Sequence, residues 1–343
     1  MTILTGANGW LGLAVAQALA DSTAAEIGLQ VGPTRGLVLK GTGTSALKSV
    51  NPAMQIIEGN AASGAGISDL FPAEARGGVL IHTVGVIHPR RVADFYAVNV
   101  EGTRKVLQAA AQAGIRRAVV VSSNSPCGCN PHPDHLFDEE SDFNPYMNYG
   151  KSKMQMEMLC RDIHHRGDLE VVIIRAPWFY GPHQPPRQRL FFEMIRDGKA
   201  PIVGDGENLR SMAYTENLAQ GLLRAAAVPA AAGETYWIAD ERPYSMNEIV
   251  DTIERLLENE FGQKCAHKRM RLPGVASEVA LVLDASLQAL GLYQQKIHVL
   301  SEMNKTIACA VDKAKRELGY SPKVALEEGM RRSLAEMFGA RTL

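Results

Sequence analysis

The sequence predicts an α/β chain, with a doubly wound parallel sheet followed by a smaller, mostly helical C-terminal region. Three observations carry this. Short apolar runs alternate with helical stretches through the first half. The first run, Ile3-Leu4, leads straight into a glycine turn, Thr5-Gly6-Ala7-Asn8-Gly9-Trp10-Leu11-Gly12, and then a helical segment. After Arg175 the texture changes, with Pro177, Gly181, Pro182, Pro185 and Pro186 close together.

Taken in order, the apolar runs at 2–5, 36–40, 55–58, 79–82, 118–122 and 171–175 read as strands. Residues 11–19, 92–113 and 149–165 read as the helices between and after them. Strands spaced by helices cannot pair as hairpins, so they lie parallel with both faces covered. Right-handed crossovers then wind the sheet in both directions. Beyond the irregular segment, 191–197 looks helical, Gly204-Asp205-Gly206 is a turn, and 235–238 is a late strand. Helices follow at 246–259, 273–292 and 327–338. This pattern sets a dinucleotide-binding part at 1–178 and a substrate-binding part at 179–343, interleaved with the sheet around 205–240.

A formal net charge of −1 over 343 residues leaves no basic excess for nucleic acid. The expected partner is a small molecule. Five cysteines make an odd number without framework spacing, so reduced thiols and a cytoplasmic location are expected. The apolar N-terminus lacks a basic leader and is broken by Gly6, Gly9 and Gly12, which argues against a signal peptide. No apolar run is long enough to span a membrane. The nearest, 275–292, is interrupted by Glu278 and Asp284 and reads as an amphipathic helix. Cys127 and Cys129 with His132 and His135 match no standard zinc spacing, so a loop and no metal are expected.

Glycines between a strand and a helix let backbone amides approach a pyrophosphate at the helix N-terminus. Tyr149 and Lys153 are four apart, so a helix puts both on one face. The lysine charge is expected to lower the phenol's pKa, so that Tyr149 exchanges a proton with a substrate hydroxyl as hydride leaves the carbon. Ser123, at the end of a strand, would hold the same oxygen.

Together, Thr5-Gly6-x-x-Gly9-x-x-Gly12, Ser122-Ser123 and Tyr149-x-x-x-Lys153 resemble the extended short-chain dehydrogenases/reductases. This is the NAD-dependent epimerase/dehydratase group, related to 3β-hydroxysteroid dehydrogenases. Asn99-Val100-Glu101-Gly102-Thr103, Arg175 through Tyr180-Gly181-Pro182, Arg210-Ser211 with Asn217-Leu218-Ala219, and Leu318-Gly319-Tyr320-Ser321-Pro322 extend the match along nearly the whole chain. The resemblance implies a Rossmann-type fold and catalysis by Ser123, Tyr149 and Lys153. It also implies a cofactor site of Gly6, Asn8, Gly9, Trp10, Leu11, Gly12, Asn60, His82, Thr83, Val84, Asn99, Ser122, Tyr149, Lys153 and Pro177. Substrate would meet Ser123, Ser125, Trp178, Phe179 and Arg210. Homodimerisation is implied through the helices at 92–113 and 149–165, with Met154, Met156 and Met158 as packing residues.

Departures from the family pattern narrow the reaction. Asn124-Ser125 stands where a dehydratase of the group has Asp-Glu, so no acid is present there to expel a hydroxyl. Trp178 stands where sugar-nucleotide epimerases commonly have Asn, while Arg210 matches a residue that often binds phosphate; a structural arginine is the other reading. Where NAD enzymes favour a carboxylate, this chain has Lys40 and then Gly41-Thr42-Gly43-Thr44-Ser45. A cation and hydroxyls favour NADP, with NAD still compatible if Lys40 is merely solvated. The expected function is hydride transfer at a secondary alcohol or ketone, leaning to a nucleotide-sugar epimerase or reductase. The alternatives are a net dehydrogenase or reductase on a sterol- or polyketide-like alcohol, and a non-catalytic cofactor-binding sensor or scaffold.

Overall fold

The computed structural model describes residues 1–339. Its centre is a seven-stranded, all-parallel sheet. The first six strands are β1 (Thr2–Thr5), β2 (Thr34–Val38), β3 (Gln55–Glu58), β4 (Val79–His82), β5 (Arg117–Ser123) and β6 (Glu170–Ala176). The late strand Thr235–Trp237 adds to β6, and the order across the sheet runs from it through β6, β5, β4, β1 and β2 to β3. Strand β1 pairs with both β2 and β4, so the winding reverses there. A crevice opens at the carboxyl ends of strands beside such a reversal, which is where dinucleotides bind in open parallel sheets.

Both faces of the sheet are covered, so its strands are apolar almost throughout. In β5, Arg-Ala-Val-Val-Val-Ser-Ser, every residue is buried. Strand alternation sends Leu4, Ile81, Val119 and Val121 to one face, with Leu11, Val15, Leu218 and Leu222. Ile3, Leu80, Ala118 and Val120 face the other way, onto Val106, Leu107, Met156 and Leu159. The first face is covered by the helices Trp10–Ala20 and Thr215–Ala227, the second by Thr103–Gln112 and Met147–His165.

Several elements depart from the sequence reading. The second strand runs 34–38, so Leu39 and Lys40 fall in the following turn, where Gly41 has a φ of +78°. The helix expected at 92–113 is continuous but widens into a π-turn over Tyr96–Gly102, with α-helix on either side. The helix expected at 191–197 begins at Pro186, whose fixed φ and missing N–H suit a first turn.

A separate core under the C-terminal helices gathers Tyr180, Phe192, Met212, Tyr214, Ile249, Leu256 and Met330. Buried Asp240 ties this core to the sheet. Its carboxylate accepts from Tyr180 Oη at 2.7 Å, Tyr214 N at 3.0 Å and Asn217 Nδ2 at 3.1 Å. Burial raises Asp240 to about 6 against these donors. No helix among the described residues is long and apolar enough to cross a membrane.

Candidate active site

The glycine turn is built by close approach. Gly6 has a φ of +71°, and a Cβ there would sit 2.9 Å from Thr83 Oγ1. A Cβ on Gly12 would lie 2.0 Å from the Gly6 carbonyl oxygen, so the first helical turn rests on the loop with no room for a side chain. Gly9 caps that helix in an extended conformation with no side-chain cap. Among the described residues no backbone carbonyl accepts from the amides of Trp10, Leu11 or Gly12, whereas Leu13 N donates to Gly9 O at 2.9 Å. Three free amides at a helix N-terminus on a glycine cradle fit a pyrophosphate. Trp10 leans outward instead. Its Nε1 donates to Pro182 O at 2.7 Å and its ring lies 5.1 Å from that of Phe179, tying the turn to the segment after β6.

Ser123 ends β5 and Tyr149 and Lys153 share one face of the Met147–His165 helix, so all three converge beside the crevice. Ser123 Oγ lies 3.4 Å from Ser125 Oγ and accepts from Ser125 N at 3.3 Å. Burial pushes the Tyr149 phenol up to about 12, and the neighbouring Ser123 hydroxyl pulls it partly back. Lys153 is lowered to about 8, mainly by burial. Its Nζ donates to Val121 O at 2.9 Å. This corrects the expectation that the lysine charge makes phenolate accessible. Lys153 is anchored to the end of β5, and burial, not the lysine charge, dominates the phenol.

Supporting residues fix these positions. Asn99, buried in the π-turn, accepts from Val86 N at 2.8 Å and donates to Val86 O and to Ser152 Oγ, each at 3.1 Å. It thereby clamps the loop after β4 to the catalytic helix, and its side chain is spent there. Two further side chains of the expected cofactor site are engaged elsewhere. Ser122 points away from the crevice, because neighbouring strand residues alternate in direction, and its Oγ donates to Glu157 Oε1 at 2.6 Å. His82 is fully buried, with Nδ1 2.7 Å from Thr5 Oγ1 and Nε2 3.0 Å from Thr103 Oγ1. Burial, then the Lys153 charge, lowers His82 to about 3, which makes it a neutral strut between β1 and the helix layer. Thr83 and half-exposed Val84 follow it, and Thr83 Oγ1 donates to Thr5 O at 2.7 Å, beside Gly6.

At the far end of the crevice, Asn8 Nδ2 donates to Thr42 Oγ1 at 2.7 Å, bringing the loop after β2 against the glycine turn. Lys40 is exposed on that loop, and no carboxylate occupies residues 39–45. Asn60 turns its Oδ1 back onto Ala62 N at 2.9 Å, leaving only its Nδ2 to face outward chemistry.

On the substrate side, Ser125 and Pro177 are buried, Trp178 and Phe179 half-buried. The Trp178 ring meets Phe191 edge-on at 5.6 Å. Arg210 is already engaged. Its Nη2 donates to Glu302 O at 2.5 Å and Nη1 lies 3.9 Å from Glu302 Oε2. Sequence reasoning missed what surrounds it. Buried His298 lies 2.7 Å from Asp284 and 3.0 Å from Glu302. Burial alone would lower His298, but the two carboxylates outweigh it and raise the imidazole to about 9. His88 Nδ1 meets Tyr293 Oη at 2.8 Å, and burial lowers that histidine to about 4. Arg187, 6.0 Å over the Trp10 ring, is lowered by burial and has no carboxylate partner among the described residues. Cys127 and Cys129 are thiols pushed up to about 11 by burial. Among the described residues no group of three His, Cys, Asp or Glu is placed to hold a metal.

This crevice, with its glycine cradle and Ser/Tyr/Lys set, defines a nicotinamide-dependent enzyme of the extended short-chain dehydrogenase/reductase type. The model of the NAD dependent epimerase/dehydratase family matches residues 2–239, and the chain belongs to that family. It is 51% identical over 338 residues to the uncharacterized protein y4nL of Sinorhizobium fredii, covering 97% of this chain and 94% of the relative. It is 33% identical over 165 residues to an N-acetyl-alpha-D-glucosaminyl-diphospho-ditrans,octacis-undecaprenol 4-epimerase of Escherichia coli O157:H7, covering 48% of this chain and 49% of that protein. In fold it matches the UDP-glucuronic acid 4-epimerase of Bacillus cereus in complex with NAD, with a TM-score of 0.75, 21% identity and 98% of each chain covered.

Proposed function

We propose that the protein transfers hydride at a secondary alcohol or ketone of a nucleotide-sugar-type substrate, as an epimerase or reductase. The observation that carries this is the convergence of Ser123, Tyr149 and Lys153 at the end of β5, beside the glycine cradle. The dinucleotide, when bound, supplies or accepts the hydride. Tyr149 Oη gives its proton to the substrate oxygen during reduction and takes it back during oxidation. Ser123 Oγ hydrogen-bonds the same oxygen and fixes its distance from Tyr149. Lys153 holds positive charge under the site and would hold the nicotinamide ribose of a bound dinucleotide. The free amides of Trp10, Leu11 and Gly12 hold the pyrophosphate. We assign NADP as the preferred dinucleotide, because Lys40 and Thr42 stand where a carboxylate would repel the 2′-phosphate. The helices at 92–112 and 147–165 form the interface of a homodimer in this reading, and unpaired cysteines fit the cytoplasm.

Nucleoside diphosphates test the substrate class without a substrate in hand. UDP, dTDP or GDP added with dinucleotide should raise the melting temperature, and Arg210→Ala should abolish the rise. One observation favours a second reading, a dehydrogenase or reductase of an apolar alcohol: Arg210 is tied to Glu302 and a diphosphate must draw it away. No thermal shift with any nucleoside diphosphate supports that second reading.

A further inference from the structure

The helical pair over the active-site flank is polar inside and apolar outside. It comprises the helices Val275–Ala289 and Gln295–Glu302. Its inward side chains are Ser277, Asp284, Gln288, His298 and Ser301, all buried. They bond largely to one another: Ser277 Oγ donates to Ser301 O at 2.7 Å, and Gln288 Nε2 to Asp284 Oδ2 at 2.9 Å, while Asp284 Oδ1 has no partner among the described residues. The pair also grips the entry to the catalytic helix. Gln288 Oε1 accepts from Asn148 N at 3.1 Å and Asn148 Nδ2 at 2.9 Å, and Ser301 Oγ lies 2.7 Å from Tyr146 Oη.

The outward face has the opposite character. Val275, Val279, Val282, Leu283, Leu290 and Leu292 are between 52% and 76% exposed. The first four recur at helical spacing and form one stripe, and the last two continue it around the turn. A helix that packs its acid and amide inward and its valines outward is not shaped for water. At the turn end the stripe has a cationic rim. Tyr293 N donates to Arg90 O at 3.3 Å, and Val92 N to Gly291 O at 3.0 Å, which seats exposed Arg90 and Arg91 beside Leu290 and Leu292; Arg91 is ion-paired with Asp94 at 3.1 Å, and Arg90 has no carboxylate partner among the described residues. Exposed Lys296 follows on the second helix. The single exposed carboxylate between 275 and 299, Glu278, is ion-paired with Lys305.

We propose that this face docks the enzyme on an anionic lipid surface, the apolar stripe entering the interface and Arg90 and Lys296 meeting lipid phosphates. An apolar stripe with a cationic edge is the arrangement by which amphipathic helices lie in a headgroup layer. A second copy of the chain is the less suitable occupant. It would present the same apolar stripe but, with Glu278 paired to Lys305 and Asp94 to Arg91, no free carboxylate for Arg90 and Lys296. Docking here turns the flank of the active site toward the lipid.

Vesicle flotation of the full chain tests it. The protein should float with phosphatidylcholine vesicles containing about one third phosphatidylglycerol, roughly tenfold more than with phosphatidylcholine alone. High salt should reduce that binding, a readout that needs no variant. Val282→Ser with Leu283→Ser, and separately Arg90→Glu with Lys296→Glu, should abolish flotation. Unchanged melting temperature and dinucleotide binding would show that these variants are folded. Wild-type protein that stays at the bottom with both vesicles overturns the proposal, as does undiminished flotation of the Ser variant. So does a halved mass of that variant by light scattering without lipid, which would assign the face to a second copy.

Discussion

Removing the proton from His298 should loosen the cap beside the active site. His298 stands at about 9 in the fold, against an ordinary 6.5, because Asp284 and Glu302 both hold its protonated form. A raised folded pKa contributes stability that is fully present below the unfolded value of 6.5 and is lost as pH climbs through 9. The gap is equivalent to roughly 3 kcal/mol, of which most remains at neutral pH and nearly all is gone one pH unit above the folded value. Urea denaturation at pH 7 and at pH 10 measures the loss. Lysines, tyrosines and cysteines titrate over the same range, so the comparison is with His298→Gln. That variant should start less stable, since Asp284 and Glu302 lose their shared cation, but its loss between the two pH values should be smaller by roughly 2–3 kcal/mol. Parallel curves for the two proteins would refute the assigned role of His298.

Lys40→Asp should weaken NADP(H) binding by roughly 1–3 kcal/mol while sparing NAD(H), measured by calorimetry with each. Equal wild-type affinities for the two dinucleotides would remove Lys40 from the assignment. Light scattering should show a dimer at micromolar concentration, and Met154→Glu with Met158→Glu should dissociate it; Met158 is 54% exposed on the outer face of the catalytic helix, while Met156 is in the core. A wild-type monomer would contradict the proposed interface.

The parts of the site legible in sequence are those set by local geometry. Gly6, Gly9 and Gly12 announce a tight turn because their spacing is that of the turn itself. Tyr149 and Lys153 fall on one helix face by period alone. Alternation along β5 already requires Ser122 and Ser123 to point apart, and Ser122 turns to Glu157. His82 was harder to place, because its partners Thr5 and Thr103 are distant in the chain. Arg210 depends on Glu302, ninety-two residues on, and no local pattern carries that pairing. The helix from 275 is amphipathic in sequence, but which face turns inward was fixed by Asn148 and Tyr146, which offer polar partners to its acid-and-amide side. The strand β2 ends at Val38, where its pairing with Glu58 of β3 stops, and Lys40 falls on the loop that turns at Gly41.

The central claim is that Tyr149 exchanges the proton that accompanies hydride transfer. It is tested by single-turnover absorbance of the reduced nicotinamide, with wild type and Tyr149→Phe, over a panel of nucleotide sugars and secondary alcohols. The wild type should transfer hydride with at least one of these. In Tyr149→Phe that step should slow by roughly 100-fold or more, with dinucleotide affinity nearly intact. An unchanged rate in the Phe variant would contradict the claim. So would a wild type that binds dinucleotide and transfers no hydride to or from any member of the panel.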